Sequence, residues 1–299
     1  MVAVDYEVDV VRLFSQVTAE GLKESQGVGQ LCYFHGETQR CPNAENATWE
    51  DRLPSWVPQW AAWRERLPFN PNLYDASAGL SAPDYGTNPF SGGFTQLTVQ
   101  GHLVSKIVAS FSRNTDVDAS TLTSLADAVL EACSDSLESD VEIVESCART
   151  MVADTWESPG SSPRCQRWPS DDALLLCKPW RSELDFMKAV EQAVTEGHHD
   201  VSRLKQCWAV FQDMARTHLG GRAFQMTVDG RFVLAPAHSR LGDVVAVVTD
   251  APMPFVLRAR VERDTYEMVG PAYVHGVMDG EVGEALIREG RRLSTIVID

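Results

Sequence analysis

The sequence predicts an α+β fold in which a helical layer packs on an antiparallel, partly barrel-like β-sheet. Over most of residues 1–220 the apolar residues recur at the three- and four-residue spacing of amphipathic helices. After Gly220 and Gly221 that spacing changes to two, and short turns follow one another as they do between antiparallel strands. The chain has 299 residues, 44% of them hydrophobic, so it is long enough for one substantial core. We therefore expect a single globular unit over residues 1–299.

Five segments of the first two thirds are predicted to be helices. Each has one apolar face, and Gly220 and Gly221 supply the stop signal of the last one. The segments are residues 5–22, 122–133, 137–152, 182–194 and 202–219. Two stretches without helical spacing, 69–96 and 153–181, are expected to be variable loops.

The β-rich part is predicted over residues 221–299. The segment "RAFQMTVDGRFVLAPA" is typical of a hairpin, because Asp229 and Gly230 favour the positive φ angles of a tight turn. Three more strands follow in "GDVVAVVTD", "PFVLRARVE" and "TYEMVGPAYV". An earlier strand region begins near residue 95, with a turn expected at Gly101, so the sheet should combine residues 95–110 with 222–275.

Charge and composition exclude several classes of protein. The chain has 26 Lys and Arg against 42 Asp and Glu, a net charge of −16, which disfavours binding to nucleic acid or to anionic membranes. No run of about 18 apolar residues is present, and the first residues lack the basic and apolar regions of a secretory signal. Seven irregularly spaced cysteines do not form a disulfide framework. We expect a cytoplasmic protein without a nucleic-acid or membrane partner.

The familiar sequence signatures of cofactor and metal sites are missing. The chain has no G-x-S-x-G elbow, no P-loop, no dinucleotide-binding G-x-G-x-x-G, no H-E-x-x-H and no C-x-x-C. We therefore expect neither a metal nor a nucleotide cofactor. The adjacent pair His198 and His199 is interpreted as part of a solvated turn.

The stretch "YVHGVMDGE", residues 273–281, allows two interpretations. In the first, which we prefer, its glycines permit tight turns and Asp279 caps a helix that starts near Glu281. In the second, His275 is a general acid or base, Asp279 orients it, and Tyr273 completes the site.

Four further residues are candidates for contact with a substrate. Pro54 and Pro58 forbid a regular helix in "LPSWVPQW", so Trp56 and Trp60 are expected either to anchor an extended segment on the core or to wall an aromatic pocket. Arg64 follows Trp60 by one helical turn and would either bind an anion or form a surface ion pair. His238, near Asp243, is a second and weaker candidate for an acid–base pair.

The sequence resembles the region that follows the HET domain in fungal heterokaryon-incompatibility proteins. The resemblance is close from about residue 220 and looser before it. The matching residues are Leu53–Trp60, Gly230, Leu234, Pro236, Gly242, Asp243, Pro254, Val256–Arg258, Tyr266, Val269, Gly270 and Tyr273–Glu281. It implies a shared scaffold and a fungal origin. Gln59 departs from the family's usual Asp, and the HET domain, which the family links to cell-death signalling, would precede the first residue, so that activity does not carry over.

Two functions remain open. The first is a stand-alone enzyme of fungal secondary metabolism, a cofactor-free cyclase or lyase that performs a dehydration, cyclisation or pericyclic step on a small apolar or aromatic substrate. Such reactions need mainly shape, orientation and a few hydrogen-bond donors, so they leave no motif. The second is a non-catalytic module of nonself recognition that binds HET-family proteins or another copy of itself. We favour the enzyme.

Overall fold

A computed structural model gives the fold, and it describes residues 9–24, 27–34, 52–58, 69–80, 89–112, 119–133, 140–156, 166–167 and 201–299. Helices accompany one large sheet, so the α+β prediction is confirmed. The α-helices are α1 (Val10–Glu24), α2 (Leu31–Phe34), α3 (Ala119–Ala132), α4 (Asp140–Met151), α5 (Val201–Leu219) and α6 (Glu281–Glu289). Short 3₁₀ turns cover Val28–Gln30 and Pro71–Leu73.

Nine of the strands in the described residues form the large sheet, and the other two, β3 and β4, pair with each other. The strands are β1 (Phe90–Ser91), β2 (Gln96–Ser112), β3 (Thr155–Trp156), β4 (Gln166–Arg167), β5 (Arg222–Thr227), β6 (Phe232–Pro236), β7 (Val244–Val248), β8 (Phe255–Arg260), β9 (Thr265–Pro271), β10 (Tyr273–Val274) and β11 (Ser294–Ile298).

The large sheet is ring-like without being a regular closed barrel. Strands β2, β7, β8, β9 and β11 pair in sequence until β11 returns to β2. Strand β2 is 17 residues long and pairs with four neighbours: its start with β1 and β11, its middle with β7 and its end with β5. Strands β5, β6 and β10 extend the sheet beyond the ring. The partly barrel-like sheet is confirmed.

Gly101 lies where β2 changes partners, opposite both Ser294 of β11 and Val248 of β7. A β-carbon at this position would approach the carbonyl oxygen of Val247 to 2.6 Å and the Ile296 side chain to 3.2 Å. The expected turn at Gly101 is therefore wrong. The glycine lets two strands come close to a continuous third strand.

The ring closes through its only parallel pair, between β9 and β11. An odd number of strands cannot alternate in direction all the way round, so five strands require one parallel contact. Here that contact is a single registered pair, Ile298 opposite Tyr266. Buried Ser55 joins β9 to the residue that follows β11, and we call this junction the seam. Its backbone N–H and its hydroxyl both donate to the Asp299 carbonyl, the N–H at 2.9 Å. The same hydroxyl accepts a hydrogen bond from the N–H of Met268 at 2.8 Å.

Two apolar clusters fill the molecule. The larger one packs α1, α3, α4 and α5 against one face of the sheet and includes Trp56, Phe211 and Phe224. The smaller one joins valines of the sheet to α6; its members include Val245, Val247, Val256, Val269, Val282 and Leu286. Stiff β-branched side chains suit the sheet face that α6 covers, because they pack well on a pleated surface and lose little rotamer freedom there.

The predicted helices and strands are largely recovered. The helices expected at 5–22, 122–133, 137–152 and 202–219 correspond to α1, α3, α4 and α5, whereas the one expected at 182–194 lies outside the described residues. Part of the expected loop 69–96 packs into the core, where Phe69, Tyr74 and Ala76 are buried. Of the expected loop 153–181, residues 153–156 and 166–167 are described. Among the described residues, no helix combines the length and the apolar character needed to cross a membrane.

Segment 69–80 docks against the start of α6 through glycines. A β-carbon on Gly280 would lie 2.7 Å from the Cβ of Ala78, and one on Gly283 would meet the Ala78 carbonyl oxygen far inside contact distance. Backbone hydrogen bonds from Asp75 to Met278 (2.9 Å) and from Ala76 to Pro252 (3.0 Å) fix the segment there. Gly280, the second glycine of "YVHGVMDGE", therefore has a packing role.

We expect Gly283→Ala to destabilise the protein by roughly 1–3 kcal/mol, because overpacking forces backbone to move. Gly21→Ala is the matched control. Gly21 also lies in a helix, but a β-carbon there would meet nothing within 4 Å, so alanine should stabilise by about 0.5–1 kcal/mol. Urea unfolding of both variants measures the difference. Equal effects of the same sign would contradict the close approach.

Ser55→Ala should reduce the free energy of unfolding by about 1–3 kcal/mol, because the buried N–H of Met268 loses its acceptor. Ser294→Ala in β11 is the control, since that side chain is exposed and surface changes usually stay within about 0.5 kcal/mol. Urea midpoints and hydrogen exchange of the Met268 amide report the effect. If the amide exchanges at the same rate in both variants, Ser55 does not close the seam.

Candidate functional site

The stretch "YVHGVMDGE" forms strand β10, a turn and the start of α6. Gly276 has φ 71° and Gly280 has φ 92°, both in the left-handed region that favours glycine. The Gly276 carbonyl accepts a hydrogen bond from Arg231 Nη1 at 2.8 Å. The expected turn and helix start are confirmed.

Asp279 does not cap α6, contrary to the preferred interpretation. The N-cap is Gly280, and no side chain accepts a capping hydrogen bond there. The Asp279 carboxylate instead pairs with the guanidinium of Arg167, while its backbone N–H donates to Glu281 Oε2 at 2.7 Å. A charge-assisted bond to a guanidinium is stronger than a bond to a backbone N–H, so the arginine takes the carboxylate.

Polar side chains from four parts of the fold meet beside this turn, and we call them the Asp154 cluster. Its members are Glu145, Arg149, Asp154, Arg167, Asp279, Tyr74, Tyr273 and His275. They come from α4 and the turn after it, from β4, from segment 69–80, and from β10 and the residues after it. Helix α4 and segment 69–80 both pack on the sheet at this point, which brings residues distant in sequence together.

The charged members form a continuous chain. Arg149 contacts Glu145 at 2.9 Å, one helical turn before it, and Asp154 at 2.6 Å. Arg167 Nη2 lies 3.2 Å from Asp154 Oδ2 and also contacts Asp279. Asp154 is thus held between two guanidiniums, with its side chain only 10% exposed.

The backbone at the centre of the cluster is strained. Ala153 and Asp154 have φ angles of 50° and 52°, and neither is a glycine. Such conformations cost of order 1–3 kcal/mol each and persist where the surroundings impose them. Here Asp154 N–H donates to the Arg149 carbonyl at 2.6 Å, and the Tyr74 hydroxyl donates to the Ala153 carbonyl at 2.5 Å. The strain places the carboxylate of Asp154 inside the cluster.

Tyr273 and His275 form the uncharged side of the cluster. The Tyr273 hydroxyl lies 3.4 Å from His275 Nδ1, and its ring centroid lies 6.0 Å from that of Tyr74. Within the described residues, no hydrogen bond or ion pair joins His275 to Asp279. The neighbour of His275 is therefore Tyr273.

The environment shifts the proton affinity of several members of the cluster. Burial lowers the pKa of His275 to about 4, and the positive charge of Arg149 adds to the effect. Burial, with Asp154 nearby, raises the pKa of Tyr273 well above its usual value. Burial also raises the pKa of Asp154, against the guanidiniums of Arg167 and Arg149, and raises the pKa of Asp279, against Arg167. Near neutral pH the imidazole is an uncharged base beside an uncharged phenol.

The acids of the cluster are paired with arginines rather than arranged around a vacant centre. In the part of the chain that the structure describes, no group of three or more His, Cys, Asp and Glu side chains converges as metal ligands do. Glu145, Asp154 and Asp279 each have a guanidinium within 3.3 Å. The arrangement suits proton transfer and the binding of anions.

The other predicted site residues lie elsewhere. Trp56 is fully buried against Phe90, with a centroid separation of 5.3 Å, and is part of the core. Trp60 and Arg64 lie outside the described residues. The expected pairing of His238 with Asp243 is not found, because Asp243 binds Arg258 instead, at 3.0 and 2.9 Å.

His238 itself is half-buried, and its carbonyl accepts from Arg258 Nη2 at 3.0 Å. Burial and then Arg258 lower the pKa of its imidazole. Asp243 is drawn to Arg258 because the guanidinium offers two parallel hydrogen bonds where an imidazole offers one. No hydrogen bond or ion pair of His238 reaches the Asp154 cluster in the described residues.

Four charged members were not identified from the sequence: Glu145, Arg149, Asp154 and Arg167. The pair Glu145 and Arg149 has a readable signal, since residues four apart share a helix face. Asp154 has none, because "MVADTW" contains no glycine or asparagine to mark a left-handed backbone. Arg167 lies in the expected loop 153–181, where no periodicity assigns a partner.

The depressed pKa of His275 predicts a loss of stability in mild acid. The imidazole has a pKa of about 4 in the folded state and the ordinary value of 6.5 in the unfolded state. Between pH 6.5 and 4 the unfolded imidazole is therefore protonated while the folded one stays neutral. Between these values the unfolded state binds more protons, so the free energy of unfolding falls as pH falls, by up to about 2–3 kcal/mol in total. His275→Gln should remove this contribution and flatten the profile between pH 6.5 and 4.

Urea unfolding at several pH values tests this expectation. Tyr273→Phe is the control, because it keeps the imidazole and should keep the slope. Parallel profiles for wild type and His275→Gln would show that the folded imidazole titrates normally.

Comparison with curated proteins returned no match, and neither did comparison with solved structures. Comparison with protein families did, in the C-terminal region of the chain. The matched residues include all the strands from β5 to β10 and the whole of "YVHGVMDGE" and α6. Residues 177–292 match the family model of the Het-6 beta-barrel domain, which confirms that the C-terminal region is like that of the fungal heterokaryon-incompatibility proteins.

Proposed function

We propose that this protein is a cytoplasmic, cofactor-independent enzyme of fungal secondary metabolism that dehydrates or cyclises a small apolar or aromatic substrate at the Asp154 cluster. The observation that supports the proposal is the strained backbone of Ala153 and Asp154, which holds a buried acid between two arginines and beside Tyr273. Strain and shifted proton affinities concentrate at functional sites.

His275 is the base in this proposal. Its imidazole is uncharged near neutral pH, so it is ready to take a proton from a substrate carbon or hydroxyl. In the tautomer that the proposal requires, Nδ1–H of His275 donates to the Tyr273 hydroxyl oxygen, 3.4 Å away, and Nε2 is the atom that takes the proton. Tyr273 is thus a positioning residue, and His275 is the residue that meets the substrate.

Asp279 is the acid. Burial raises the pKa of its carboxyl group, and its side chain is 52% exposed, so a substrate from solvent can reach it. In a dehydration, His275 removes the proton from carbon, the carbon–hydrogen electron pair forms the double bond, and the carbon–oxygen bond breaks. Protonated Asp279 gives its proton to the departing oxygen, which leaves as water. The proton on His275 then returns to Asp279 through solvent, so the cycle balances.

The arginines supply the electrostatic part of the reaction. Charge that develops on an enolate or alkoxide is stabilised by fixed donors in a site of low polarity. Arg149 is held between Glu145 and Asp154 and is largely buried, so it is preorganised. Arg167 is 32% exposed and contacts Asp279, so it is accessible from the same side as that acid.

The second candidate function, a binding module for nonself recognition, has one observation in its favour. Three apolar side chains of α1, those of Val10, Leu13 and Val17, are 42%, 40% and 47% exposed. Their spacing of three and four residues puts them on one face of the helix. An exposed apolar face of this kind is typical of protein contact.

Deletion of the gene in its host fungus separates the two functions. Untargeted metabolite profiling should show a missing product and an accumulated precursor, while pairing reactions with incompatible strains stay unchanged. Unchanged metabolites with an altered pairing reaction would exclude the enzyme and favour the binding module.

Complementation of the deletion strain tests the named residues. His275→Gln should lower product formation by about 10²–10⁴-fold, the usual contribution of a general base, while protein abundance at neutral pH stays the same. Tyr273→Phe should have a smaller effect, because the imidazole remains. His102→Gln is the control, since His102 lies in the middle of β2 opposite Val247, in the ring. Full product formation with His275→Gln would show that His275 takes no part in the reaction.

A further inference from the structure

Arg167 uses only part of its capacity to donate hydrogen bonds. Its Nη2 contacts both Asp154 and Asp279, whereas its Nη1 is buried and has no hydrogen-bond partner among the residues that the structure describes. A guanidinium binds a carboxylate best through two parallel hydrogen bonds, one from each of two nitrogens. Asp279 engages one nitrogen only, so Arg167 holds it with the weaker of the two geometries.

Asp154 and Asp279, the two acids that contact Arg167, differ in burial and in the number of arginines that bind them. Asp154 has a side chain only 10% exposed and is also bound by Arg149 at 2.6 Å. The Asp279 side chain is 52% exposed, and in the described residues its carboxylate is bonded to Arg167 alone. An exposed single ion pair contributes little stability, about 0–1 kcal/mol. Asp279 is therefore the acid that an incoming anion displaces.

The guanidinium of Arg167 lies over an aromatic ring. Arg167 Cζ lies 5.1 Å from the centroid of Tyr74, which is itself buried and bonded to the Ala153 carbonyl. An arginine stacked on a ring loses less freedom when it binds a planar anion. The guanidinium of Arg167 is therefore preorganised to bind a carboxylate.

We propose that Arg167 binds a carboxylate of the substrate in place of Asp279, so that the substrate class is a carboxylic acid with an apolar or aromatic body. The inference rests on the function proposed above and names its substrate class. The two oxygens of the carboxylate accept from Nη1 and Nη2, which satisfies the buried donor. Asp154 stays in place between the two arginines.

Displacement also prepares Asp279 for its role as the acid. Arg167 is the group that lowers the pKa of Asp279, while burial, Glu281 and Asp75 raise it. Once the guanidinium turns to the substrate, the carboxyl group of Asp279 takes up a proton more readily. Only a substrate with a carboxylate would then generate its own proton donor, which makes Arg167 a determinant of specificity.

Binding of benzoate to the full chain tests the proposal, with benzamide as the neutral probe of the same shape. Isothermal titration calorimetry should show that Asp279→Asn binds benzoate about tenfold more tightly than wild type, because the amide no longer competes for Arg167 or repels the ligand. Arg167→Met should lose benzoate binding. Asp229→Asn is the control, since Asp229 has a similarly exposed side chain (42%) and pairs with Arg231 at 2.8 Å; its affinity should equal that of wild type.

Either of two outcomes would overturn the carboxylate site: equal benzoate affinity of wild type and Asp279→Asn, or equal binding of benzoate and benzamide by Asp279→Asn. Arg167→Lys replaces Arg167→Met if the latter does not fold by circular dichroism, and it should weaken binding because lysine cannot form the two-nitrogen fork. The assay needs no turnover. Tighter benzoate binding in Asp279→Asn, together with unchanged metabolites in the deletion strain, would reject the enzyme and retain the carboxylate site. Unchanged benzoate affinity in Asp279→Asn, together with a missing product in the deletion strain, would retain the enzyme and reject the carboxylate site.

Discussion

The parallel contact between β9 and β11 is the constraint on which the rest of the molecule depends. Five strands in a ring require one such contact, and here it amounts to a single registered pair supported by Ser55. The chain after β9 turns directly into β10, which carries Tyr273 and leads to His275. The position of the candidate site therefore follows from the closure of the ring. A segment more than 200 residues away in sequence helps to hold that closure.

The Asp154 cluster is hard to explain by stability alone. Removing charges from water is expensive, and a buried ion pair is often no more stabilising than apolar side chains of similar volume. To this the protein adds a left-handed backbone at Ala153 and Asp154, which is a further unfavourable contribution. The neighbouring contact of Thr155 with His218, 2.9 Å between Oγ1 and Nε2, shows that polar groups continue into the core behind the cluster. A purely structural role would be served better by an apolar junction between α4 and the sheet.

Sequence patterns predicted what depends on local spacing. The helices α1, α3, α4 and α5 follow from apolar periodicity, and the hairpin of β5 and β6 follows from its turn, where Gly230 has φ 80°. Strand β11 was not predicted, because five residues carry too short a pattern and its partner β2 lies about 200 residues earlier. The capping role expected of Asp279 was wrong for a related reason. The competing arginine, Arg167, comes from a loop whose position no local pattern specifies.

The net charge of −16 does not decide which ligand the site accepts. Residues 201–299, which form most of the ring, contain 12 Lys and Arg and 12 Asp and Glu, so the whole excess of acid lies in residues 1–200. At physiological ionic strength, exposed charges farther away than about 8 Å are largely screened. The groups that an anion meets at the Asp154 cluster are then Arg167 and the acid that it displaces. An acidic chain is thus compatible with an anionic ligand, because the local guanidinium determines the sign of the site.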